Sequence, residues 1–360
     1  MIMFLEQLSN AFGVSSVEAD VRKIIVEAAR PHADAWRVDT MGNVFITRQA
    51  QASAGPKPLR VMVTAHMDEV GFMISEIGKD GLLKFKPVGG FDPRVLLGKR
   101  VVVGPAKIPG VIGVKPVHLL SQADRNEVGP MSAMTIDIGA TDNKANGQVK
   151  VGDFATFATT FGYLGGASRP SQKRGLVKGK AFDNRAGCAV LLELLKTDYP
   201  VELVAVFTVQ EEIGLRGARV AAYGANPDLA FILECTAADD LPPLSKDDPP
   251  GFPRLGDGPA ITVMDRSFIA DRRLVDVLIE TAETAGIPYQ FKRPGIGGTD
   301  AGAVHLSREG VPSGVVSIPA RYIHAPAAVI DLADFWRVVA LLQATMARLP
   351  EQQLLLEKQP

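Results

Sequence analysis

The sequence predicts an α/β protein, with a mixed or largely parallel sheet sandwiched by helices and a small all-β domain inserted into it. Three observations carry this. Apolar, β-branched runs such as LRVMVTAH (59–66) and VELVAVFTV (201–209) alternate with amphipathic helical stretches. The block 71–161 instead breaks into short alternating runs separated by Gly, Pro and Asp. After it the strand–helix alternation resumes. The main domain is therefore expected to comprise residues 1–70 and 162–360, and the inserted β-rich domain residues 71–161.

The first element, SSVEADVRKIIVEAARP (15–31), reads as a helix opened by a capping box from Ser15 to Glu18 and closed by Pro31. LRVMVTAH follows as a buried strand. Within the inserted block, GFMISEIG, LLKFKPVGG, RVVVGP, GVIGV, MTIDIG and DFATFAT read as strands. KDG (79–81) has the composition of a hairpin turn, and a helical period shows only around 118–124. Beyond the block, AGCAVLLELLKT reads as a helix, while VELVAVFTV, LAFILE and PAITVMD read as strands. RRLVDVLIETAETAG is a helix stopped by Gly286. GVPSGVVSIP gives a strand and LADFWRVVALLQATMARL a closing helix. PPLSKDDPPGFPRLGDG (242–258) is too polar and Pro-rich to be anything but a loop.

Composition narrows the function. A chain of 360 residues with a formal net charge of −1 and 46% hydrophobic residues offers no basis for a nucleic-acid or membrane-surface partner. Cys188 and Cys235 are the only cysteines, so neither a disulfide framework nor a thiolate metal cluster is expected. The opening MIMFLEQLSNAFG lacks a positive segment before a long apolar run, and no stretch reaches membrane-spanning length. A soluble, cytoplasmic protein is expected.

Open α/β sheets bind ligands beyond the carboxyl ends of their strands, so what each strand ends in matters. LRVMVTA ends in His66, with Asp68 two residues on; VELVAVFTV ends in Gln210, Glu211 and Glu212; LAFIL ends in Glu234. GVVSI is followed by PARYIH, which delivers His324, and Asp183 in KGKAFDNRAG lies just before a helix. Each has a structural alternative: Asp183 a helix cap, Asp68 a turn acid, Glu234 a solvated loop residue. Together, two histidines and several carboxylates on one rim suit zinc, or cobalt or manganese, rather than calcium. Asp68 is placed to orient the His66 imidazole, because residues two apart in an extended segment face the same side. His32, His118 and His305 are expected to be packing or surface residues.

The motifs TAHMDEVGFM, KAFDNRAGC, TVQEEIGLRGA, LECTAADD, GIGGTDAGAVH and IPARYIHAP, in that order, resemble the dinuclear-metal aminopeptidases of the tetrahedral, self-compartmentalising type. Relatives in that family have often been labelled endoglucanases. LSNAFGVSSVE and VDTMGNV extend the resemblance over nearly the whole chain. It implies a zinc-peptidase-like catalytic domain and an inserted PDZ-like or barrel-like dimerisation domain. It also implies two divalent ions, bridged by Asp183, with His66 and Glu234 completing one site and Glu212 and His324 the other. Glu211 would be the general base and Asp68 the orienting acid. Many members have Asp where this chain has Glu234, which changes the reach of that ligand.

The mechanism expected from these roles is hydrolysis of an N-terminal peptide bond by a water that two metal ions activate, with Glu211 moving the proton to the leaving amine. The resemblance implies that GIGGTDAG (295–302) is a loop beside the substrate, with Gly298, Thr299 and Asp300 contacting it, and the residues alone read equally well as a tight turn with a helix cap. The resemblance further implies short peptides as substrates and dimers assembling into a dodecamer as the working form. A dinuclear-metal deacylase would use the same ligands. A glycosidase fits poorly, since it needs two carboxyls facing each other across the bond. A non-catalytic assembly protein would be expected to have lost ligands, and none is missing.

Overall fold

In the central strands of this computed structural model, successive side chains go to opposite faces of one sheet. In VELVAVFT, Leu203, Ala205 and Phe207 join one core cluster, and Val204 and Val206 join another. Both faces must then be covered. The structure describes residues 2–52, 57–122, 125, 127, 129–143, 147–165, 175–242 and 251–349.

The chain opens with α1 (Ile2–Asn10) and α2 (Ala19–Ala29), then β1 (Ala35–Val38), β2 (Val44–Arg48) and β3 (Arg60–His66). Six strands follow: β4 (Gly71–Ile77), β5 (Leu83–Val88), β6 (Arg100–Val103), β7 (Ile108–Gly113), β8 (Thr135–Asp137) and β9 (Phe154–Phe157). The main sheet resumes with β10 (Gly162–Tyr163), β11 (Leu176–Gly179), α3 (Phe182–Leu194), β12 (Glu202–Thr208), α4 (Arg216–Ala225) and β13 (Leu229–Ala237). The last elements are β14 (Ala260–Thr262), α5 (Arg272–Ala285), β15 (Gln290–Phe291), α6 (Ala301–Val304), β16 (Ser313–Arg321), β17 (Ala328–Asp331) and α7 (Leu332–Arg348).

The large sheet has the order β1-β2-β12-β3-β13-β16-β17-β11-β10, with β14 and β15 branching from β16. Its centre is parallel: β12 pairs with β3, β3 with β13, and β13 with β16. These four strands therefore end on one rim. One face is covered by α1, α2, α3, α5 and α7, through residues such as Leu8, Ile25, Leu191, Leu278 and Leu342. The other is covered by the small side chains of α4 and α6, among them Ala218, Ala222, Ala301 and Ala303.

Strands β4 to β9 close into a barrel of order β4-β5-β8-β7-β6-β9. Phe72 sits in its core, 4.8 Å from the rings of both Phe85 and Phe91. The KDG turn joins β4 to β5, with Gly81 at φ 81°. A buried charged cluster ties the barrel to the rest. Thr156 Oγ1 of β9 donates to Glu69 (2.8 Å), which also accepts from Lys180 Nζ (2.7 Å), the Gly13 N–H (3.2 Å) and Arg185 (3.3 Å).

Several local expectations need correction. Ser15 does not cap α2: its hydroxyl donates to Asp68 Oδ2 at 2.6 Å, and Glu18 at the N-cap makes no side-chain cap bond. The α-helix does stop before Pro31, at Ala29, but a single 3₁₀ turn at Arg30–His32 follows it, where a missing N–H costs nothing. The segment around 118–124 contributes only the 3₁₀ turn Val117–Leu119, and residues 123 and 124 lie outside the described residues, as do 243–250 of the predicted loop. Gly286 ends α5 at φ 62°, as expected for a C-cap glycine.

Candidate metal centre

The site is assembled where the parallel strands run out. Register places Thr208 of β12 beside His66 of β3. Past Thr208 the chain turns sharply at Gln210, whose φ is 56°. That turn aims the backbone N–H groups of Glu211 and Glu212 at Asp68, at 3.0 Å from Oδ1 and 3.2 Å from Oδ2. The adjacent carboxylates diverge from there: Glu211 Oε2 lies 3.9 Å from His66 Nε2, and Glu212 Oε1 lies 3.3 Å from His324 Nε2.

Asp183 lies inside the first turn of α3 but in extended backbone, at φ −81° and ψ 106°. The capping work passes to the next residue, with Asn184 Oδ1 accepting from the Gly187 N–H at 3.1 Å. Asp183 is thus no helix cap. Its Oδ1 lies 3.2 Å from His66 Nε2 and its Oδ2 3.1 Å from His324 Nε2. His324 reaches this position from the loop after β16, at φ 56°. Glu234 of β13 completes the cluster, with Oε1 at 3.4 Å from His66 Nε2. Two donor sets share Asp183: His66, Asp183 and Glu234, and Asp183, Glu212 and His324, the donor atoms of each lying within 4.8 Å of one another.

Asp68 orients His66 in a way the spacing alone does not show. The His66 Nδ1–H donates to the Asp68 main-chain carbonyl at 3.1 Å, and the Asp68 carboxylate stands further off, at 3.5 Å. That carboxylate is mainly occupied in holding Ser15 and the Glu211–Glu212 turn.

The electrostatics call for a cation. Four carboxylates (Asp183, Glu211, Glu212 and Glu234) face only two imidazoles. Burial pushes Glu234 up to about 8 and raises Glu211 well above the ordinary carboxylate range; the latter is reinforced by Glu234, Asp300 and Glu212. Burial alone would depress both histidines. Contacts with Asp183 and Glu212 instead carry His324 up to about 11, and the charges of Glu234 and Glu211 raise His66. Burial would raise Asp183 as well, yet its bonds to His324 and His66 hold it well below its usual value. Glu234 Oε2 is buried with no hydrogen-bond partner among the described residues, and buried Glu212 Oε1 has only the His324 imidazole beside it, at 3.3 Å and outside hydrogen-bond geometry. Orphaned acceptors of this kind, in a set of imidazole and carboxylate donors, fit divalent ions of the zinc class.

A cavity of about 370 Å³ opens over this cluster. Its remaining walls include Leu215, Ile296, Ile323, Gly297, Gly298 and Lys292. Gly298 lines it. Thr299 and Asp300 are buried, Thr299 Oγ1 donating to Asp265 at 3.1 Å and Asp300 Oδ2 accepting from Thr208 at 2.6 Å. His32 and His118 stand away from the cluster, and His305 Nδ1 donates to the Ala301 carbonyl at 2.6 Å. Burial pushes the Cys188 thiol up to about 12 and raises Cys235 likewise, so neither is a nucleophile.

The profile described as M42 glutamyl aminopeptidase matches residues 42–341. The chain belongs to the M42 peptidase family. Its relatives in the family include a glutamyl aminopeptidase of Lactococcus lactis, 35% identical over 325 residues and covering 86% of each chain. A lysyl aminopeptidase of Pyrococcus furiosus is 31% identical over 354 residues and 96% of each chain. Among solved structures, an aminopeptidase from Desulfurococcus kamchatkensis superposes with a TM-score of 0.90 at 35% identity, covering 99% of this chain and 98% of that one. The Pyrococcus horikoshii TET1 peptidase, which can assemble into a tetrahedron or a large octahedral shell, gives 0.81 at 32% identity over 96% and 98% of the two chains. This M42 chain is accordingly an aminopeptidase, and the deacylase alternative is not favoured.

Sequence reasoning left several neighbours of the M42 site unassigned. Arg185 is fully buried and donates to the carbonyls of Met67, Leu8, Ala11 and Gly13, which fixes the segments carrying His66 and Asp183. The signal was available: a lone Arg inside an apolar helix needs an internal use. Lys292 carried no such signal.

Proposed function

We propose that this aminopeptidase removes the N-terminal residue of short peptides at a centre of two divalent ions, most simply zinc, with Glu211 as general base. Asp183 would bridge the ions, His66 and Glu234 would hold one, and Glu212 and His324 the other. Support comes above all from Asp183, whose two carboxylate oxygens each face a different imidazole while Glu234 and Glu212 divide between the same two. When bound, the ions would polarise the scissile carbonyl and acidify water.

Glu211 is the carboxylate left over by that division. It is buried at the cavity edge and anchored through its N–H to Asp68. A carboxylate whose proton affinity is raised by burial and by neighbouring charge accepts a proton from the attacking water and returns it to the departing amine. Asp68 sets the His66 tautomer and holds the turn that separates Glu211 from Glu212. The longer arm of Glu234, compared with an aspartate, would let its carboxylate, which lines the cavity, serve the α-ammonium of the substrate as well as a metal.

The chain is further proposed to act as a homo-oligomer, dimers assembling towards a dodecamer, with the barrel domain of residues 71–161 as the dimerisation unit. The likeness to the TET1 peptidase supports this, as do the exposed apolar side chains Leu97, Val111 and Val114 on the barrel. Light scattering of the purified protein gives its mass directly. Activity is tested with a panel of free and N-acetylated peptides, with and without a chelator. Release of the first residue from free peptides only, abolished by the chelator, is expected; equal cleavage of acetylated peptides, or indifference to chelation, refutes the proposal.

A further inference from the structure

We infer that Lys292 is a specificity-determining residue that directs this aminopeptidase to peptides beginning with aspartate or glutamate. The relatives include both a glutamyl and a lysyl enzyme, so family membership leaves the preference open. The inference rests on the aminopeptidase activity of the site and adds its substrate class.

Lys292 directly follows β15, and its N–H continues the pairing by donating to the Ile261 carbonyl at 2.9 Å. Extended alternation then sends Phe291 and Arg293 outwards, Arg293 to Asp239 at 3.2 Å, and Lys292 inwards. Its side chain is only 6% exposed and lines the cavity over the ligand cluster. Among the described residues its ammonium has neither a hydrogen bond nor an ion pair. A balancing role towards the acidic cluster would put one of those carboxylates within 4 Å of it, and none of them is. A buried cation without a partner is unfavourable and calls for an anion from elsewhere.

The rest of the wall fits that anion. Leu215, Ile296 and Ile323 give the lining an apolar character suited to a short methylene stem. Gly297 stands at φ 68°, and a Cβ there would come to 3.8 Å from Lys292 Nζ. The positive φ is what favours glycine here, and a Cβ would stand in ordinary contact with the ammonium. With the α-amino group and scissile bond held at the ligand cluster, a first side chain of one or two methylenes bearing a carboxylate fills the space in front of the ammonium. A basic side chain would meet a like charge out of water, and a neutral one would leave the ammonium unpaired.

The test is kcat/KM of the metal-loaded enzyme on the p-nitroanilides of Glu, Asp, Leu and Lys, for the wild type, Lys292→Met and Lys292→Arg, with metal content and melting temperature measured on each protein. The wild type is expected to favour Glu and Asp. Lys292→Met should lower the Glu-to-Leu ratio by about 30-fold, mainly through KM, as loss of a charge-assisted bond does. Lys292→Arg should keep most of the preference, because the charge remains. An active wild type that prefers Leu or Lys, or a Lys292→Met protein with an unchanged ratio, overturns the inference. So does a KM increase confined to dipeptides with a free C-terminus, which would assign Lys292 to the other end of the substrate. A metal-loaded wild type that cleaves no anilide and no free peptide refutes instead the activity on which the inference rests.

Discussion

Replacing Glu211 with glutamine separates metal binding from proton transfer. The substitution keeps the shape of the side chain and the Asp68 contact, which is made by the Glu211 main-chain N–H at 3.0 Å. Glu211 belongs to neither of the two donor sets that share Asp183, only to a third with His66 and Glu212, so both Asp183 sets should survive. What is lost is a proton acceptor. Positioned general bases contribute about 10²- to 10⁴-fold, or about 3 to 5 kcal/mol of barrier. Because burial and neighbouring charge disfavour the ionised Glu211, neutral glutamine should also leave the fold at least as stable. The assay combines kcat/KM on an aminoacyl anilide with metal analysis of the same sample. Wild-type metal content with a rate lowered at least 100-fold is expected. A metal-loaded Glu211→Gln enzyme within about threefold of the wild type would refute the base assignment, and loss of metal would show that Glu211 is a ligand.

Asp68→Asn replaces a pure acceptor for Ser15 and the Glu211–Glu212 turn with a group that is half donor. Metal affinity or activity should fall about 10- to 100-fold, measured by competition with a chelating dye. Arg185→Met removes the guanidinium's bonds to four backbone carbonyls, and one of the donors to Glu69, in a site that is fully buried. Urea denaturation should register a loss of about 3 to 5 kcal/mol; a change below 1 kcal/mol would contradict the clamp. In metal-free protein, His324 at about 11 and Glu234 at about 8 both bind protons more tightly folded than unfolded. Their stabilisation is complete below the unfolded values, about 6.5 and 4.3, and disappears as pH rises through 8 and then 11. The melting temperature of metal-free protein should therefore fall from pH 6 to pH 10. A flat profile would mean that the cluster is not charged as described.

Much of the site was legible because strand polarity fixes where side chains converge. His66, Glu211, Glu212, Glu234 and His324 follow apolar runs that read as strands, and parallel pairing of β3, β12, β13 and β16 brings those ends to one rim. The barrel strands were equally readable, since Phe72 and Ile74 point inwards while Met73 and Ser75 do not. The hairpin of β1 and β2 went unread: AWRV is exposed along its whole length and has no apolar period.

What could not be read depends on contacts distant in sequence or on backbone direction. Ser15 has the spacing of a helix cap, but Asp68, 53 residues away, competes for its hydroxyl and wins. Asp183 looked like a cap because nothing local announces the extended φ and ψ that swing it away from α3. Lys292 in FKRP resembles any surface basic pair until alternation along the β15 edge turns one member inwards.

The claim on which everything else depends is that the rim of the sheet holds two ions through a shared Asp183. The most direct measurement is anomalous diffraction from zinc-loaded crystals, with metal analysis of the same preparation. Two peaks per chain, one among His66, Asp183 and Glu234 and one among Asp183, Glu212 and His324, are the predicted result. No peak at this rim, or metal bound without Asp183 in contact, would contradict the account.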